Sequence, residues 1–233
     1  MKDRIELKKK SIMDYDVFIF DLDGTLYYQK PFRRRMLCTL IKYVIMHPAS
    51  VKDLFLIKTY RKVREQWGQC AKEPVPAEGM SLDERQYAYV AAKNGTKPEC
   101  VKHAVEFFML EMPLKLLPRY RDEILAKFME RLKKKGKTVV IYSDYPVEDK
   151  LSCLGICADA CFTSGDEGIG CMKPDPKGIQ VILRTLGCAG ANAVMIGDRY
   201  EKDGIAAKRN GVDYIIVDRS KWKRRKQKDF WEK

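Results

Sequence analysis

Val17-Phe18-Ile19-Phe20-Asp21-Leu22-Asp23-Gly24-Thr25-Leu26 is the stretch on which the reading of this chain turns. Its first four residues are apolar and favour extended backbone, and the run stops abruptly at two acids separated by one residue and followed by glycine. Such a run reads as a buried strand, and open α/β sheets bind ligands beyond the carboxyl ends of their strands. Side chains two apart on an extended chain point the same way, so Asp21 and Asp23 share a side until Gly24 lets the chain turn. Carboxylates that close repel unless a cation or a shared proton intervenes. An acidic turn after a strand would read alike, so the rest of the chain has to decide.

From Pro118 onward strands and helices alternate. A helix is expected over about 121–135, ended by Gly136, and then a strand at Thr138–Tyr142 that stops at Ser143-Asp144. A helix over 146–154 and a short strand at Ala160–Thr163 follow, then a glycine-bearing loop over 165–170. Lys173-Pro174-Asp175-Pro176 reads as the opening of a helix that runs to about Leu186. Ala193–Ile196 is a further strand ending at Gly197-Asp198, residues 201–210 are helical with Gly211 beyond, and Tyr214–Val217 is the last strand. This alternation predicts an α/β fold with a parallel central sheet and helices on both faces. Right-handed crossovers then bring the carboxyl ends of the strands to one edge.

Between Pro31 and Pro113 the chain is rich in Lys and Arg, with apolar residues at helical intervals, such as Leu37, Leu40, Ile41, Val44 and Ile45. Pro48, Pro74-Val75-Pro76, Gly79, Gly95 and Pro98 punctuate it. We read an all-helical insertion of several short helices.

Composition bounds the partners. No apolar run approaches a membrane span; the longest, around Met36–Met46, carries Lys42 and is too short. The start of the chain lacks the apolar core of a signal peptide, and the scattered cysteines read as reduced thiols, so a cytoplasmic setting is expected. Cys153, Cys157 and Cys161 lack an accompanying His cluster, which argues against zinc. The formal charge of +13 is concentrated partly at Lys8-Lys9-Lys10 and in the tail 219–233. It suits anionic small substrates, or a solvated basic terminus; contact with nucleic acid or an anionic membrane through the tail is the alternative.

The common edge collects Asp21, Asp23, Ser143, Lys173 and Asp198, with Asp203 one helical turn further on. Carboxylates from Asp21, Asp23 and Asp198 make a hard-oxygen site suited to Mg²⁺. A lysine and a serine hydroxyl beside them can hold phosphoryl oxygens, and helix N-termini add N–H donors for an anion. These are parts for phosphoryl transfer to an aspartate.

In order, D-x-D-G-T, a serine after the second strand, K-P-D-P and G-D-x-x-x-x-D, the chain resembles the haloacid dehalogenase-like (HAD) hydrolase superfamily. The resemblance implies a Rossmann-like core built from residues 1–29 and 118–233. Residues 30–117 would be a small helical cap of the C1 type, similar to that of the phosphoglycolate phosphatase and β-phosphoglucomutase branch. It also implies roles. Asp21 would be the nucleophile that forms an aspartyl-phosphate, and Asp23 the general acid and base. Asp21, Asp198 and the backbone carbonyl of Asp23 would hold Mg²⁺. Ser143 and Lys173 would bind the phosphoryl group with N–H donors from Leu22, Asp23 and Asp144; the Asp144 side chain is expected to turn away. Thr25 would support the loop, and Asp203 would anchor Lys173 or a metal-bound water.

The activity implied is Mg²⁺-dependent hydrolysis of a small phosphorylated metabolite. A phosphomutase or phosphotransferase of the same superfamily is the alternative. A dehalogenase is disfavoured, because that branch does without the second acid that Asp23 supplies here. His47 and His103 fall in the helical insertion, apart from every motif, and read as structural or solvated.

Overall fold

The structure is a computed structural model that describes residues 5–8, 11–69, 79–217 and 230–231. Lys9, Lys10, the Pro74–Pro76 stretch and most of the basic tail lie outside those residues. Six strands form one sheet: β1 (Ile5–Glu6), β2 (Val17–Phe20), β3 (Thr138–Ser143), β4 (Ala160–Thr163), β5 (Ala193–Gly197) and β6 (Asp213–Ile216), in the spatial order β1-β6-β5-β2-β3-β4. Strands β2 to β6 run parallel, with Phe20 opposite Ile141 on one side and Ile196 on the other. The parallel sheet expected from the alternation is present.

Strand β2 is buried on both faces because its side chains serve two cores in turn. Phe18 and Phe20 point into one, with Val139, Ile141, Val194 and Ile196 of the neighbouring strands and Phe128. Val17 and Ile19 point into the other, with Val140, Tyr142, Met195, Ile179 and Ile182. A period of two along a strand splits a continuous apolar run between two faces in this way. Helix α6 (Glu123–Lys134) covers the first face; Phe18 and Phe128 meet edge to face at 6.0 Å between ring centroids. Asp122 caps that helix by accepting from the N–H groups of Ile124 and Leu125. Helix α8 (Lys177–Thr185) covers the second face through Ile179 and Ile182.

Strand β1 has no counterpart in the sequence reading. It pairs antiparallel with β6, Ile5 opposite Ile215, and covers an edge that would otherwise be open. Two residues among charged neighbours carry no periodic signal. The tail also differs from a wholly solvated terminus: Trp231 is buried against Phe128, with ring centroids 4.9 Å apart.

The insertion is helical, but its first two helices are long. Helix α1 (Gln29–Met46) has 18 residues and α2 (Val51–Gln69) has 19, separated at Pro48. Helices α3 (Leu82–Asn94) and α4 (Pro98–Val105) follow, and α4 continues as a π-helical turn over Glu106–Glu111 and a last turn, α5 (Met112–Leu114). Pro31 lies in the first turn of α1, where proline is tolerated, so it does not shorten the helix. The insertion has its own core around Ile57, Tyr60, Val63, Val90, Val101 and Phe108. The chain leaves and re-enters the sheet-bearing part side by side: Tyr28 donates to the carbonyl of Tyr120 at 2.8 Å and Asp122 to that of Leu26 at 2.9 Å.

Three helix starts in the sheet-bearing part differ from the sequence reading. Helix α7 spans Glu148–Leu154, and α8 begins at Lys177 rather than at Lys173. Prolines at 174 and 176 each bias the preceding residue away from the helical region, so Lys173–Pro176 stays a loop. Residues Tyr200–Gly204 form a π-helical turn before α9 (Ile205–Lys208). Among the described residues no helix is long and apolar enough to cross a membrane.

Candidate active site

Asp21 is the first residue past β2, and its N–H still donates to the Ile196 carbonyl at 2.8 Å, extending the ladder with β5 by one step. The chain then curls, with the Leu22 carbonyl accepting from the N–H groups of Thr25 and Leu26. That curl puts Thr25 beside Asp21, and the Thr25 hydroxyl donates to Asp21 Oδ2 at 2.9 Å. Lys173 donates from Nζ to Asp21 Oδ1 at 2.6 Å, to Asp203 Oδ1 at 2.7 Å and to the Tyr142 carbonyl at 3.2 Å. Its side chain is 2 % exposed, so this ammonium is wholly committed to the site.

Two glycines admit the acids from the β5 side. A Cβ on Gly24, whose φ is +106°, would stand 2.3 Å from Asp198 Oδ2. A Cβ on Gly197 would stand 2.3 Å from Asp203 Cγ. The result is a cluster in which carboxylate oxygens of Asp21, Asp198 and Asp203 lie within 4.8 Å of one another. Asp203 is also oriented by the Arg199 N–H, which donates to its Oδ2 at 3.1 Å.

The electrostatics follow from this crowding. Burial pushes the Asp21 carboxyl well above the usual carboxylate range; Lys173 opposes the shift, while Asp203 and Asp198 add to it. Burial alone would lower the Lys173 ammonium, but Asp203, Asp21 and Asp144 outweigh it and hold it well above the usual lysine value. Three carboxylates thus crowd beside one buried ammonium.

The Asp23 carboxylate is not part of this cluster, although Asp23 lines the same cleft. Lys150 of α7 donates to both of its carboxylate oxygens at 2.8 Å, and the Tyr27 hydroxyl donates to Oδ1 at 2.7 Å. Burial and the adjacent Asp23 carboxylate raise the Tyr27 phenol, so it stays protonated and donates. The Asp23 carbonyl accepts from Gln29 Nε2 at 3.4 Å. Ser143 ends β3, is 1 % exposed, and its hydroxyl accepts from the Tyr145 N–H at 3.1 Å.

Asp144 is among the residues that line the cleft, and its side chain is taken up by neighbouring loops. Oδ1 accepts from the Ser164 hydroxyl at 2.9 Å and from the Lys173 N–H at 3.0 Å, and Oδ2 accepts from Lys202 Nζ at 2.9 Å. Burial would raise this carboxyl, but Lys173 and Lys202 outweigh burial and hold it below the ordinary value. It ties together the loops after β3, β4 and β5. The Asp144 carbonyl in turn accepts from the buried guanidinium of Arg64 on α2, which also bonds Tyr60 and Gln86 and lies 4.5 Å from the Tyr145 ring centroid. Lys150, Tyr27, Lys202 and Arg64 escaped the sequence reading. Three of them are among 45 Lys and Arg residues, and no motif singles them out.

The site opens into a cleft of about 460 Å³. Its floor is the acid cluster with Ser143 and Lys173, and its far wall is made by α1, α2 and the π-helical turn. His47 and His103 do not line it.

Comparison with known proteins bears on the family and the fold. A phosphoserine phosphatase from Thermus thermophilus is 28 % identical over 141 residues, 58 % of this chain and 54 % of that protein. The match thus spans about half the length of that relative. A 2-haloacid dehalogenase from Pseudomonas syringae shares the fold with a TM-score of 0.58 at 19 % identity, over 87 % of this chain and 86 % of that one. A HAD phosphatase from Thermococcus onnurineus does so with a TM-score of 0.51 at 22 % identity, over 88 % and 87 %. Likeness at such identities speaks for the fold. The family model for haloacid dehalogenase-like hydrolases matches residues 15–211, a span that contains every member of the acid cluster, and the chain belongs to that family.

Proposed function

We propose that this protein is a Mg²⁺-dependent phosphatase that hydrolyses a phosphomonoester through an aspartyl-phosphate on Asp21. The observation that carries the reading is the setting of Asp21: one oxygen is held by Lys173, the other by Thr25, and the acid at position 23 stands on the cleft beside it. Residues 30–117 would act as a cap over a core formed by 1–29 and 118–233. A cytoplasmic setting goes with this reading.

In the first half-reaction an Asp21 oxygen attacks phosphorus, the bond from phosphorus to the ester oxygen breaks, and Asp23 gives the departing alkoxide its proton. In the second, Asp23 takes a proton from water, the resulting oxygen attacks the same phosphorus, and inorganic phosphate leaves with Asp21 restored. Lys173 and the Ser143 hydroxyl hold the non-bridging oxygens, joined by N–H groups of Leu22, Asp23 and Asp144. Lys150 and Tyr27 aim the Asp23 carboxylate.

Mg²⁺ fits the donor set. Hard oxygen atoms of Asp21, Asp198 and Asp203 lie within 4.8 Å of one another beside the Lys173 ammonium. Asp21, Asp198 and the Asp23 carbonyl would hold it, with Asp203 reaching it or bracing Lys173. Bound there, the ion supplies the positive charge that lets an anionic nucleophile and an anionic phosphate approach. The phosphoserine phosphatase relative and the presence of Asp23 both weigh toward phosphate esters rather than haloacids. Asp21→Asn should cut Mg²⁺-dependent hydrolysis of an aryl phosphate by roughly 10⁴-fold or more, with the circular dichroism spectrum unchanged. Undiminished turnover in that variant would sink the assignment.

A further inference from the structure

The floor of the cleft is built for a phosphate; its wall is built for something else. Met36, Leu37, Leu40, Leu54, Ile57 and Phe108 face the space above the acids. The polar groups that α1 and α2 add to that space are Gln29, Arg33, Arg61 and Glu65. Gln29 contacts the Asp23 carbonyl, and Glu65 is paired with Arg199 at 2.9 Å. A sugar ester would bring several hydroxyl groups to a wall that answers mostly with hydrocarbon, and burying them unpaired is costly.

Helix α1 carries a second apolar face. Phe32 and Met36 are buried, and Tyr43 packs on Phe107 and Phe108. Leu37, Ile41 and Ile45, four residues apart and so on one stripe, are 58 %, 52 % and 73 % exposed. A helix packed on one side needs one apolar stripe, and α1 has two. Met46, Val51 and Phe55 continue the exposed patch around the tip of the hairpin. Of the large hydrophobics exposed among the described residues, all but Met80 lie between 37 and 55. Over its 18 residues α1 carries Lys30, Arg33, Arg34, Arg35 and Lys42 and no carboxylate. Cations flanking exposed Leu and Ile are the composition of a helix that lies in an anionic lipid interface. Leu37 belongs both to the exposed stripe and to the cleft wall, so the outer patch runs into the site without a polar break.

We propose that the outer face of α1 docks on an anionic membrane surface and that the cleft takes a lipid phosphomonoester from it, the apolar chain along the wall and the phosphate on Asp21. The proposal rests on the phosphatase reading for its chemistry: water is consumed, the bond from phosphorus to the lipid oxygen breaks, and the products are inorganic phosphate and the apolar alcohol. The docking itself is independent of turnover.

The test uses the full chain with vesicles of phosphatidylcholine alone, or with phosphatidylserine or phosphatidic acid added. Flotation should require anionic lipid and weaken with salt, and phosphatidic acid in vesicles should be hydrolysed. In a series of soluble alkyl phosphates KM should fall roughly fourfold per added methylene until the wall is covered. The double variant Ile41→Glu/Ile45→Glu, at two exposed positions outside the cleft, should lose flotation and vesicle turnover by about tenfold or more and keep its rate on a soluble aryl phosphate. Absence of flotation, flotation unchanged in the double variant, or a preference for sugar phosphates over alkyl phosphates overturns the proposal. So does sedimentation showing the stripe buried between two copies. If the wild type hydrolyses no phosphate ester while the flotation results hold, the phosphatase reading falls and the docking surface stands.

Discussion

The two sides of the cleft are made on opposite terms. On the floor, Asp21, Lys173 and Asp203 are buried, and each meets its neighbours through short directed bonds. On the wall, contact is apolar and non-directional, and part of the helix that supplies it stays exposed. A floor of that kind tolerates almost no substitution, because removing one partner strands another in a medium that cannot solvate it. The wall can exchange one hydrocarbon for another at small cost. On the proposed reading, chemistry is fixed on one side of the cleft and selectivity is adjustable on the other.

The sharpest way to break that contrast is Lys173→Met. It would leave Asp21 and Asp203 buried without their shared ammonium. Stability should fall by about 3–5 kcal/mol, read by urea unfolding, and hydrolysis should be lost with it. A stability change near zero would mean that the floor is not the directed network described.

A middle-sized effect is expected at Asp144, the strut behind the floor. Its folded-state pKa lies below the unfolded value of about 3.9, because Lys173 and Lys202 overcome burial. Between those two values the unfolded chain holds a proton that the native chain does not, so stability rises with pH there. The contribution is complete above the unfolded value and disappears as pH falls through the folded one. Lys202→Met should raise the folded value, remove about 1 kcal/mol at neutral pH and move the acid-unfolding midpoint upward. An unmoved midpoint would show that Lys202 only decorates the cleft.

The smallest effect belongs to the wall's outer face. Ile45→Ser, at a side chain 73 % exposed, should change stability by no more than about 0.5 kcal/mol in thermal unfolding. A larger loss would show that this stripe already packs against something in solution.

The same contrast governs what could be read without coordinates. Asp21, Ser143 and Asp198 were legible because each stands where an apolar run stops, and the edge of a parallel sheet gathers such positions. Lys173 reads in the sequence as opening a helix, which in fact starts at Lys177, and Asp203 as lying one helical turn beyond Asp198. Lys150 and Tyr27 reach Asp23 only by folding: α7 brings the first, and the curl after Leu22 the second. Arg64 comes from another core entirely. For α1, periodicity located the helix and its apolar residues, but periodicity cannot say which stripe is packed when there are two. Strand β1 was invisible because pairing by two residues leaves no pattern.

The hydrogen bonds that pair Tyr28 with Tyr120 and Leu26 with Asp122 have a further consequence. The two ends of the helical insertion are already neighbours, as the two arms of a hairpin are, so in topological terms all of α1 to α5 is one enlarged turn. Closing a loop whose ends are held together costs only slowly more as the loop lengthens. The sheet and its acids therefore place little demand on the length or architecture of what hangs from them. A lineage carrying this core could lengthen or shorten the overhang without opening the sheet.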